Sequence, residues 1–104
     1  MQKTYSYPRY PYQTPAALGS STPERRPVIV VGAGPVGLAA ALDCRVHGLP
    51  VLLLDEDDTV SIGSRGLCYA KRTLEVLNRI GCADPVINKG VRWNVGRTFH
   101  REQE

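Results

Sequence analysis

Val28-Ile29-Val30-Val31-Gly32-Ala33-Gly34-Pro35-Val36-Gly37 is the stretch that decides how this chain folds. Its first four residues are apolar and β-branched without alternation, as in a strand buried on both faces of a parallel sheet. Gly32 ends the run, and Pro35 stands where a first helical turn tolerates a missing N–H. From Val36 to His47 the chain is rich in good helix formers, and Gly48 is placed to cap them. Pro50 opens a second apolar run, Val51-Leu52-Leu53-Leu54, which stops at Asp55. The pattern predicts strands over 28–32 and 50–54, paired in parallel, with a helix over 35–47 crossing between them. Such a crossover is right-handed in nearly every known case.

Gly32-Ala33-Gly34-Pro35-Val36-Gly37 is a GxGxxG motif. The pattern alone is weak, but a strand precedes it, a helix and a second strand follow, and an acid closes that strand. Each glycine has a distinct task. Gly32 permits the tight turn, Gly34 lets a pyrophosphate approach the backbone, and Gly37 lets helix and strand lie close. The N–H groups of the first helical turn lack intrahelical acceptors and attract phosphate oxygens. The fold class expected is therefore α/β: the N-terminal βαβ part of a Rossmann-like FAD/NAD(P)-binding domain, cut short within that domain. The candidate cofactor-binding residues are Gly32, Ala33, Gly34, Pro35, Val36, Gly37, Asp55, Glu56 and Arg65, the last from the resemblance given below.

Asp55 ends the second strand, where a carboxylate accepts hydrogen bonds from both ribose hydroxyls of an adenosine. It repels a 2′-phosphate, so FAD or NAD is expected over NADP at this site. Glu56 is carried as a candidate beside it. The acidic run Glu56-Asp57-Asp58 otherwise reads as solvated charge that makes a 2′-phosphate still less welcome.

Composition narrows the class. The chain has 104 residues, 42% apolar and 22% charged, within the ordinary globular range. Its net charge of +3 comes from residues 1–27, where Lys3, Arg9, Arg25 and Arg26 face only Glu24. The remainder is balanced, so a basic surface for nucleic acid has no support there. The apolar run Leu38–Leu42 is far too short for a membrane span, and the N-terminus has no apolar core of a secretory signal. Cys44, Cys68 and Cys82 form no CxxC pair, which argues against a zinc site or disulfide framework and for reduced, mostly buried thiols in a cytoplasmic protein. No catalytic residue and no metal ligand emerges. Residues 1–27 hold five of the eight prolines and four of the five tyrosines, and read as a disordered leader ahead of a partial domain at 28–104.

Beyond Gly66, Leu74, Leu77 and Ile80 recur at three-residue steps, predicting a helix over about 70–80 stopped by Gly81. Asp84-Pro85 reads as the N-cap and first position of a short helix ended by Gly90. Val91, Trp93 and Val95 alternate with polar residues, predicting a half-buried strand that runs towards His100.

Pro27–Leu54 and, more specifically, Ser64-Arg65-Gly66-Leu67-Cys68-Tyr69-Ala70-Lys71-Arg72-Thr73-Leu74-Glu75 resemble the N-terminus of the FAD-dependent aromatic hydroxylases. The nearest subgroup is that of 3-(3-hydroxyphenyl)propionate hydroxylase and the related phenol and polyketide hydroxylases. The resemblance covers Pro27 to the last residue and a minor share of a typical member. It implies that Arg65 supplies a cation near the FAD pyrophosphate and ribityl chain, a role suited to a guanidinium that holds two oxygens at once. Gly66 departs from the family, which more often has alanine there. The Asp-Gly and Gly-Asp segments of the family do not occur in these 104 residues, nor do most residues of the substrate pocket. For a full-length protein the resemblance implies a monooxygenase in which NAD(P)H reduces FAD and O₂ is used to hydroxylate a phenolic ring. It implies a small aromatic molecule as partner; composition adds no support for nucleic acid or membrane. The other readings that remain are a non-catalytic dinucleotide-binding fragment and the NAD-binding module of another oxidoreductase. The βαβ pattern by itself does not separate FAD from NAD.

Overall fold

The structure is a computed structural model that describes residues 6–63, 66, 68–101 and 103. It divides into two units, residues 1–70 and 71–104.

The first unit holds the expected βαβ. Strand β1 is Val28–Val31, helix α1 is Pro35–Val46 and strand β2 is Val51–Leu54. The strands pair in parallel, with Val28 opposite Val51 and Val31 opposite Leu54. One further backbone bond, Gly32 N–H to the Leu54 carbonyl at 2.7 Å, extends the pairing past the end of β1. Helix α1 starts at its proline and packs on both strands. It closes at Gly48, whose N–H donates to Arg45 O while Leu49 N–H donates to Cys44 O, the paired bonds that satisfy orphan carbonyls at a helix end. His47 sits at that terminus, with Nδ1 2.8 Å from the Asp43 carbonyl oxygen.

The apolar runs predict strands buried on two faces, and in this chain they are not. Ile29 is 51% exposed and Val31 82%. In this register Ile29, Val31, Leu52 and Leu54 share one face of a two-stranded sheet, and Val28, Val30, Val51 and Leu53 share the other. The apolar character of both faces is the sequence signal of a larger, doubly covered parallel sheet.

The second unit pairs helix α2, Lys71–Arg79, with helix α3, Ala83–Lys89. Leu74 and Leu77 are half-buried, and Ile80 and Ala83 are the buried apolar residues among those described. Gly81 ends α2 with φ of 75°, and Cys82 N–H returns to Leu77 O at 2.8 Å. That tight reversal places Cys82, not Asp84, at the N-cap of α3. Asp84 falls inside the first turn, where its charge still suits the positive helix end.

Two further expectations fail. Residues 91–95 form no strand; Val91, Trp93 and Val95 are 91%, 63% and 73% exposed. Alternation supplies a strand's faces but not its ladder partner, and among the described residues of the second unit no strand is present to pair with. The thiols are also less buried than expected: Cys44 and Cys82 are half-buried and Cys68 is exposed.

Candidate functional site

The site is built where β1 runs into α1. Gly32 has φ of 100°, a region that side chains with a Cβ rarely adopt, and this turns the chain from strand to helix within three residues. Gly37, in the first turn of α1, sits against that bend. A Cβ there would stand 1.8 Å from the Gly32 carbonyl oxygen and 3.3 Å from Val30 Cγ1. The helix therefore begins directly on the end of the strand, and only hydrogen fits between them.

Gly34 is the opposite case. It is the N-cap of α1, and a Cβ built on it meets no atom within 4 Å. The missing side chain is not needed for packing; it leaves open space against the backbone at the helix start. No side chain caps this terminus and no acidic residue lies in its first turn, so the donors of Val36 and Gly37 retain their affinity for an anion. Val36 is 84% exposed.

Asp55 faces this turn from the end of β2. Its Oδ2 accepts a hydrogen bond from Ala33 N–H, and its Oδ1 accepts one from Asp57 N–H at 2.8 Å. These two bonds, Ala33 first, hold its carboxyl below the ordinary carboxylate value of 3.8. An ionised carboxylate has roughly four acceptor positions, so about two remain for further donors. An open cleft of about 460 Å³ lies alongside, lined by Val31, Gly32, Leu54, Asp55, Glu56 and Asp57.

Most candidate residues are thus brought together. Gly32, Asp55 and Glu56 line the cleft, Ala33 is tied to Asp55, Gly34, Pro35 and Val36 form the helix start, and Gly37 supports it from beneath. Ser64, Arg65 and Leu67 lie outside the described residues. The sequence reads Asp57 only as solvated charge, yet its N–H bonds the Asp55 carboxylate and the residue lines the cleft. An acid two residues before a free backbone donor is the signal that could have found it, since Asp side chains bond their own chain two residues on. Among the described residues no group of three or more His, Cys, Asp or Glu is placed to hold a metal ion, and no helix is long and apolar enough to cross a membrane.

A glycine turn open to phosphate, an uncapped helix start and an ionised acid at the end of the next strand define a dinucleotide-binding βαβ unit. The chain belongs to the FAD binding domain family, whose model matches residues 25–104. That makes FAD the dinucleotide. Among its relatives are a rifampicin monooxygenase of Rhodococcus hoagii, 33% identical over 72 residues, covering 69% of this chain and 15% of that protein. A flavin-dependent monooxygenase of Mycobacteroides abscessus is 40% identical over 63 residues, 61% of this chain and 13% of the relative. A para-nitrophenol 4-monooxygenase of a Pseudomonas species is 36% identical over 64 residues, 62% of this chain and 16% of the relative. The matched stretch thus spans about a seventh of these relatives' length. No solved structure matches the chain.

Proposed function

We propose that these 104 residues are the FAD-binding portion of a monooxygenase that hydroxylates an aromatic, phenolic molecule using NAD(P)H and O₂. The observation that carries the proposal is the pairing of open space at Gly34 with the ionised Asp55 carboxylate across the same turn. In this reading the Val36 and Gly37 N–H groups bind the pyrophosphate, Gly34 gives it room, and Asp55 takes the adenosine ribose hydroxyls on its remaining acceptor positions. Glu56, which lines the cleft, disfavours a 2′-phosphate. Arg65 adds a guanidinium to the phosphates. FAD, when bound, supplies the redox chemistry between the nicotinamide and O₂. The residues of this chain contribute binding and orientation; no catalytic residue is assigned to it.

The aromatic substrate class is supported by the names of relatives, such as para-nitrophenol 4-monooxygenase. The domain division goes with this reading: residues 28–104 carry the binding elements, and residues 1–27 are a largely solvated leader in a cytoplasmic protein, of which Tyr7–Tyr10 bond to the chain at 58–63. Their exposure from Pro8 to Pro27 is consistent with that.

The test is purification of the full-length protein. FAD should co-purify, and a phenolic substrate should stimulate NAD(P)H oxidation together with O₂ uptake. A protein that retains NAD and never flavin overturns the reading.

A further inference from the structure

Four residues of the leader, Tyr7–Tyr10, bond to the chain beyond β2. Arg9 pairs antiparallel with Thr59. Tyr10 N–H donates to the Asp58 carbonyl at 2.7 Å, and Thr59 Oγ1 donates to the Pro8 carbonyl at 2.8 Å. Gly63 N–H donates to the Tyr7 hydroxyl at 3.3 Å. The Arg9 guanidinium meets the Asp58 carboxylate at 2.5 Å. Two backbone segments 49 residues apart are thus joined through main chain, hydroxyls and one ion pair.

What they hold matters to the site. Asp58 directly follows Asp55, Glu56 and Asp57, which line the cleft, and Gly63 directly precedes Ser64-Arg65. The stretch 55–63 has no regular secondary structure of its own, and its four successive acids repel one another. Arg9 places one cation among them. An ion pair this exposed is weak alone. Its effect lies in holding the neighbouring strand-like bonds in register, which removes conformational freedom from the loop before any ligand arrives.

We propose that Tyr7–Tyr10 are a strap that positions the Asp58–Gly63 loop, clasped by Arg9 and Asp58, and that the strap tightens the hold on FAD. The second half of this rests on the FAD reading above; the strap itself does not. Arg9 is a positioning residue and touches no cofactor in this scheme.

The experiment uses the full-length protein, its Arg9→Glu and Asp58→Arg variants, and the two changes combined. Amide hydrogen exchange is followed in peptides spanning residues 6–14 and 57–63, without FAD and with it, and FAD dissociation constants are measured alongside. Each single variant should speed exchange in both peptides together and raise the FAD dissociation constant by about two- to fivefold, the range of an exposed pair. The combined variant restores the pair with its charges reversed and should recover both readings. Wild-type Tyr10 and Gly63 amides that exchange as in an unstructured peptide overturn the strap, as does a single variant that alters neither peptide. Faster exchange with an unchanged FAD constant overturns its positioning role. If the wild-type protein binds no FAD, the FAD reading fails, and the exchange data alone decide whether the strap exists.

Discussion

The Asp55 carboxylate accepts a hydrogen bond from the Ala33 backbone N–H, 22 residues earlier in the chain. The acid proposed to receive the ribose is therefore also the clip that ties the glycine turn to the end of β2. Removing it should act twice. Asp55→Ala leaves the Ala33 and Asp57 donors without their acceptor and deprives the ribose hydroxyls of theirs. FAD binding by the full-length protein should weaken by roughly tenfold or more. The Ala33 amide should exchange faster even before FAD is added. An unchanged Ala33 amide would separate the two roles.

The clip depends on pH in a defined direction. Bonding to Ala33 and Asp57 lowers the folded-state pKa of Asp55 below its ordinary 3.8. The unfolded chain therefore binds the proton first as pH falls. The stabilisation from Asp55 is complete above about pH 5 and is lost progressively as pH falls from there through the lower folded value. Carboxyl chemical shifts should report a midpoint below 3.8 for this residue. Asp55→Asn should flatten the acid limb of a stability-against-pH curve, and a midpoint at or above 3.8 would contradict the bonding.

Gly34 and Gly37 should fail in different ways. Gly34→Val adds a side chain into open space, so folding should be little changed while FAD binding is lost. Gly37→Ala forces a methyl against the Gly32 carbonyl, and stability should fall by at least about 1–3 kcal/mol. Thermal unfolding of the two variants beside FAD retention distinguishes them. Equal loss of stability in both would mean that Gly34 is packed.

Arg65→Ala tests the residue drawn from the resemblance. In the full-length protein it should weaken FAD by about 1–3 kcal/mol through the phosphates, by loss of charge-assisted bonds. Arg65→Lys should recover only part, because an ammonium cannot bind two oxygens as a planar fork. Full recovery by lysine would reduce the role to charge alone.

The 104-residue chain alone should hold FAD poorly. Among the described residues its sheet has two strands, and Ile29 and Val31 are exposed. A nucleotide cradle on so small a core loses much of its binding free energy to ordering. Flavin fluorescence during titration of the chain checks this, and micromolar or tighter binding would show that the βαβ unit is rigid without further sequence.

What the sequence determined by itself was local. β1, α1 and β2 followed from two β-branched or aliphatic runs, a proline at the helix start and glycines at its ends, because these signals act within a few residues of one another. The nucleotide site was legible for the same reason: Gly32, Gly34 and Gly37 do their work inside a single turn. Tertiary structure decided what depends on a partner far along the chain. The Ala33–Asp55 clip spans 22 residues and the Arg9–Asp58 clasp 49, and no local pattern marks either donor. Val91–Val95 shows the same limit in reverse. Its alternation satisfies the faces of a strand, but a strand also needs a neighbour to accept its N–H groups, and only the assembled fold supplies or withholds one.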